Sequence, residues 1–180
     1  VKRAAAEGEA LLRQAGARNV LVLDDDAQPA FWAELDDFAQ TAKHGPHEAL
    51  LRIAALPMEC ATVAETAQAM AREHGIALAW LADTLTGTVW LRLRGTESPG
   101  AASHEGADAA SGAFGAALRA IQDALVHRWR NSVILDCPPA LKPHIPIWGA
   151  DPSALDLMRE VKRSFDPDHR LNPGRFIAEA

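Results

Sequence analysis

Two apolar stretches of this sequence carry charge where a fully buried strand would not. In ALLRIAAL (49–56) Arg52 stands among hydrophobic residues; in TGTVWLRLR (86–94) Trp90, Arg92 and Arg94 alternate with Val89, Leu91 and Leu93. Successive side chains on a strand point to opposite faces. Arg52 therefore shares a face with Leu50 and Ala54, opposite Leu51, Ile53 and Ala55. An arginine and tryptophan face has two readings. One is a solvated surface over which long side chains lie. The other is a platform that covers an anionic ligand or a cofactor, because the guanidinium fork matches an anion in paired hydrogen bonds.

The chain end, RSFDPDHRLNPGRFI (163–177), is a second unusual stretch. Pro167 disfavours helix at Asp166 and stops the last helix there. Pro173 followed by Gly174 suits the central positions of a type II turn, which would reverse the chain at Asn172 and aim Arg175 and Phe176 back toward the body. A tail shaped in this way packs against this domain or a partner domain. Other polar groups converge less. His44 and His47 flank Gly45-Pro46 without a carboxylate or thiol at ligand spacing, and His104 with Glu105 lies among small residues, so no metal is expected. Cys60 and Cys137 show no motif spacing and read as free thiols of a reducing compartment, a disulfide being the alternative.

These residues must be positioned by the elements around them. The chain has 180 residues, 48% of them hydrophobic, which suits one domain, 1–180, with a real core. Its net charge is -6 and its Lys and Arg are scattered, which argues against a nucleic-acid partner. No apolar run approaches the roughly 20 residues of a membrane span. An Ala- and Glu-rich helix is predicted over 2–15, closed by Gly16, then a strand NVLVLD (19–24) and a helix from Pro29 with Phe31, Leu35, Phe38 and Ala42 on its core face. This N-terminal extension, 1–45, precedes a core of about 49–137. There the pattern gives strand 49–56, helix 60–74, strands 76–82 and 86–94, a polar loop 95–112, helix 112–128 and strand 131–137. The order β-α-β-β-α-β makes an α+β, ferredoxin-like antiparallel sheet with both helices on one face. A proline-rich crossing (137–153) leads to a C-terminal helix and tail, 150–180, the helix capped by Asp151 or Ser153 and striped by Leu155, Met158, Val161 and Phe165.

The stretch LMREVKRSFDPDHRLNPGRF (157–176) resembles the C-terminal signature of FAD-linked oxidases of the vanillyl-alcohol-oxidase type. Leu157-Met158, Lys162, Phe165-Asp166-Pro167, Leu171, Asn172-Pro173-Gly174 and Arg175 carry the match. Upstream, FWAELDDF (31–38), LLRIAALP (50–57), GTVWLRL (87–93), SVILDCPPALK (132–142) and IWG (147–149) are most similar to the smaller flavin-binding subunit of bacterial glycolate oxidases. The resemblance implies a ferredoxin-like cap that lays its sheet over a flavin held by an N-terminal FAD-binding domain. That pyrophosphate-binding domain is absent from this chain: no glycine-rich phosphate loop occurs, and SGAFGAA (111–117) reads as helix packing. The chain alone is expected to bind FAD weakly or not at all and to be inactive.

The implied chemistry is hydride transfer from a 2-hydroxy acid to the flavin, with the protein positioning and polarising. Under that resemblance Arg52 is the first candidate for the substrate carboxylate, Arg92 the second, and Trp90 stacks near the ring system. Asn172, Pro173, Gly174 and Arg175 would contact the flavin domain. The His-containing metal motif of related hydroxy-acid dehydrogenases is missing. Expected partners are an FAD-binding domain of the same or a partner chain, other oxidase subunits and a small hydroxy acid; the expected location is the cytoplasm, with any approach to the inner membrane made through partner subunits. Two readings of other classes stay open. One is a non-catalytic ferredoxin-like module that binds anions as a self-contained dimer; the other is a subunit-docking protein acting through the proline-rich segment.

Overall fold

The structure, a computed structural model, describes residues 2–39, 47–95 and 104–173. The chain divides into two compact units, Val1–Gln40 and Thr41–Ala180. In the first, α1 (Lys2–Gln14) ends at Gly16, and α2 spans Gln28–Ala39. The Asp24 carboxylate accepts the Ala27 N–H at 2.9 Å just ahead of α2. NVLVLD, predicted as a strand, is irregular and unpaired, with Leu21 76% exposed. A strand needs a ladder partner, and residues 2–39 hold no other strand. Nor does the predicted core face of α2 bury itself: Phe31 is exposed and Leu35 and Phe38 are half-buried, while Ala42 lies outside the described residues.

The second unit carries the sheet. Its strands are β1 (Glu48–Ala54), β2 (Ile76–Asp83), β3 (Thr88–Gly95) and β4 (Ser132–Asp136), and its helices are α3 (Cys60–Glu73), α4 (His104–Arg128) and α5 (Leu155–Phe165). The spatial order is β2-β3-β1-β4 with every pair antiparallel, the α+β, ferredoxin-like topology expected of β-α-β-β-α-β. Leu51, Ile53, Val89, Leu91 and Leu93 are wholly buried against Val63 and Ala67 of α3 and Leu118, Ile121 and Leu125 of α4. The predicted division of faces holds on both central strands. Among the described residues no helix is long and apolar enough to cross a membrane. Cys60 and Cys137 are free, buried thiols.

One boundary moves. Helix α4 begins at His104, not near 112, so part of the predicted loop 95–112 is helical, and 96–103 lies outside the described residues. The stretch reads as a loop from its small residues, yet alanine is the strongest helix former. Within α4 the packing reading of SGAFGAA is right at Gly115, where a Cβ would stand 2.7 Å from Leu141.

The proline-rich crossing becomes a strap along the outer edge of β4. The Ile134 N–H donates to Ile147 O at 2.8 Å, and the Ala150 N–H donates to Arg130 O at 3.2 Å. Gly149, at φ +77, passes so close that a Cβ would meet Ser132 O at 2.4 Å. The buried Gln122 of α4 holds strap and strand together: its Nε2 donates to Ser132 O at 2.8 Å and Pro146 O at 3.1 Å, and its Oε1 accepts the Ser132 hydroxyl at 2.8 Å. Replacing Gln122 by Ala strands buried acceptors and opens a void. We expect Gln122→Ala to lower unfolding free energy by about 2–4 kcal/mol in denaturant titration.

Candidate functional site

Register fixes what meets on the open face. Arg52 of β1 lies opposite Trp90 of β3 on one side and Val133 of β4 on the other. Leu50 lies opposite Arg92. Arg52 and Arg92 are thus diagonal neighbours on one face, a spacing of about 7–8 Å between backbones that long side chains bridge easily. Arg52 is exposed, and Trp90 and Arg92 are half-buried. Leu50, on this helix-free face, is nevertheless wholly buried. Arg94 ends the row, its Nε donating to Glu48 at 2.5 Å. The structure therefore brings Arg52, Trp90 and Arg92 together on the one sheet face opposite α3 and α4, where they could grip an anion beside a flat apolar surface.

A groove of about 1400 Å³ opens beyond β4, between the strap and α5. Val133, the cross-strand neighbour of Arg52, lines it, so the groove begins one strand away from the arginine face; Arg52, Trp90 and Arg92 do not line it. Trp148 forms part of one wall and Leu157, Val161 and Phe165 part of the other. Helix α5 is strongly amphipathic, yet none of its residues is buried: Phe165 is 82% exposed, Leu157 61% and Val161 49%. Its start also differs from the expected one. Neither Asp151 nor Ser153 caps it; Ala154 occupies the cap position, and Arg130 holds the Asp151 carbonyl at 3.0 Å.

At the other end of α5 the tail is shaped by one carboxylate. Asp166, 5% exposed, accepts the Lys162 ammonium, the Arg170 N–H at 2.7 Å and the Leu171 N–H at 3.0 Å. Lys162 also donates to Leu171 O at 3.0 Å. His169 and Asn172 adopt left-handed backbone, at φ 52 and 47, costing on the order of 1 kcal/mol per residue outside glycine. The Asp166 clamp holds the chain in those conformations. Asn172 and Pro173 reach the groove; Gly174 and Arg175, expected beside them, lie outside the described residues. Sequence reading found Lys162 and Asp166 only as parts of a pattern. Their i, i+4 spacing before an Asp-Pro helix stop was the available signal for an ion pair.

Among the described residues no three His, Cys, Asp or Glu side chains gather as metal ligands. The Cys137 thiol is pushed up by burial and is thus no ready nucleophile. The proline-rich segment, one of the alternative docking elements, is held by its own fold through Gln122, Arg119 and Arg130.

Residues 148–176 match the family described as FAD linked oxidases, C-terminal domain. No curated protein and no solved structure gives a significant match. The matched stretch contains Trp148, all of α5 and the Asp166 clamp, and it supports an FAD-linked oxidase C-terminal domain. That family implies FAD in the full protein and a companion FAD-binding domain.

The Lys162 ammonium, followed by burial acting in the opposite sense and by the two backbone N–H donors, leaves the Asp166 carboxyl at about 2 against an ordinary 3.8. A depressed acid stabilises the folded tail fully above its ordinary value and loses that contribution as pH falls through the folded one. Tail protection should therefore persist at pH 4 and vanish toward pH 2, read as amide exchange at Arg170 and Leu171. Asp166→Asn should speed that exchange at neutral pH while leaving the sheet's melting temperature nearly unchanged.

Proposed function

We propose that this chain is the substrate-side cap of an FAD-dependent 2-hydroxy-acid oxidoreductase of the glycolate-oxidase kind. The observation that carries the reading is a coincidence of place. Within the second unit, among the described residues, the family-matched stretch carries an apolar helix face without cover and one side of the open groove. An 11-residue amphipathic helix without burial is marginal by itself; a companion FAD-binding domain would supply its missing contacts. Asn172 and Pro173, held out by the Asp166 clamp, would join that contact.

The open sheet face then covers the flavin. Bound FAD supplies the hydride acceptor. Arg52 takes the substrate carboxylate in a two-pronged hydrogen bond, and Arg92, one diagonal step away, adds a second positive charge to the same site. Trp90, between them in the ladder, offers a flat apolar surface that orients a planar group and excludes water. These residues fit such a group: a half-buried aromatic flanked by two cations matches a flat, electron-poor ring system that works on an anion.

The test uses this chain co-expressed with a companion FAD-binding domain of this family. The expected product is a yellow complex that bleaches when a short 2-hydroxy acid is added without oxygen. Arg52→Lys should raise KM about tenfold to a hundredfold with little change in kcat, the loss of one charged hydrogen-bond arm. Phe165→Asp, at an exposed position, should abolish complex formation while the isolated chain stays folded. A complex whose oxidation rate ignores Arg52, or one that forms equally well with Phe165→Asp, would overturn the reading.

A further inference from the structure

The two edges of the sheet are treated differently. The β4 edge is closed by the strap. The β2 edge is bare: among the described residues no backbone or side-chain hydrogen bond reaches the outer side of Ile76–Asp83. Proteins blunt such edges with lysine, proline, bulges or shortness, because a row of unpaired N–H and C=O groups is a template for another strand. Strand β2 has none of these devices. It is eight residues long, IALAWLAD, uncharged until Asp83, and pairs with β3 without a register shift.

The geometry points to a second copy of this chain, docked edge to edge through β2 as an antiparallel, two-fold pair. This inference does not depend on the flavin reading. Facing residues in an antiparallel pair share a sheet face, so the sum of two opposed residue numbers must be even. A dyad at Ala79 satisfies that and suits the side chains. Ala79 then meets its own copy, small against small. On the helix-covered face Trp80 lies over Leu78 of the partner subunit, and on the open face Leu81 lies beside Ala77 of the partner subunit. Trp80 is 48% exposed in the single chain despite facing the helix side, and Leu78 is half-buried, so both have area to cover. Asp83 falls opposite the turn before β2, away from its own copy, and no like charges oppose each other. A strand-seeking partner with a charged strand would have no counter-charge to read along 76–82, whereas a neutral strand matches itself. The result is one closed, eight-stranded sheet with both open faces on the same side.

The test is sedimentation of the chain with charge placed at the dyad. The wild-type chain should be a dimer. Ala79→Lys and Ala79→Glu, at an exposed position, should each sediment as monomers, because like charges then face each other across the two-fold. Mixed one to one, the two variants should restore a dimer, and the tryptophan emission of that mixture, to which Trp80 contributes, should return to the wild-type wavelength; unfolding could not produce that rescue. A monomeric wild-type chain, an open series of ever larger species, variants that dimerise like wild type, or a mixture that stays monomeric would each overturn the proposal.

Discussion

A four-stranded sheet with α3 and α4 both packed on one face must leave the other face outside that core. That constraint organises the second unit. The covered face takes Leu51, Ile53, Val89, Leu91 and Leu93 out of water, and α3 and α4 complete the burial. The opposite face has to be satisfied by what its own side chains can do. It carries Arg52, which is exposed, and Trp90 and Arg92, which are half-buried, long side chains of the kind that keep a polar tip and an apolar stem on one surface.

The C-terminal region answers a different problem. After β4 the chain must leave the sheet without exposing its edge, and the strap does this with three kinds of lock: backbone bonds to Ile134 and Arg130, the buried Gln122 amide, and the Gly149 contact that a side chain would prevent. Beyond the strap the design reverses. Helix α5 turns Leu157, Val161 and Phe165 outward across a groove, and the Lys162–Asp166 pair rigidifies the tail that follows. Rigid strap, uncovered helix and clamped tail together resemble half of a contact, its order supplied in advance so that less conformational entropy is lost on docking. The open sheet face and the groove are thus adjoining surfaces, joined at Val133.

Local patterns conveyed much of this and failed where a local pattern has a non-local requirement. NVLVLD has the composition of a strand and lacks a strand to pair with. HEGADAASGA has the small residues of a loop and the alanine content of a helix, and the helix won. Asp151 and Ser153 are good capping residues on either side of Pro152, but Arg130 holds the Asp151 carbonyl, and the helix starts later. The division of faces on β1 and β3 succeeded because alternation is a property of a strand alone.

By itself the sequence determined the strands and helices of the core, their β-α-β-β-α-β order, the placing of Arg52, Trp90 and Arg92 opposite the core side chains, and the stop at Asp166. Each follows from side-chain period, turn chemistry or proline geometry over a few residues. Tertiary structure alone decided that Arg52 and Arg92 are diagonal neighbours, that β4 is covered while β2, among the described residues, is not, and that the stripe of α5 meets a groove instead of a core. Those outcomes depend on register between strands far apart in the chain and on the path of the strap. Both are set by long-range packing, which no short stretch of residues encodes.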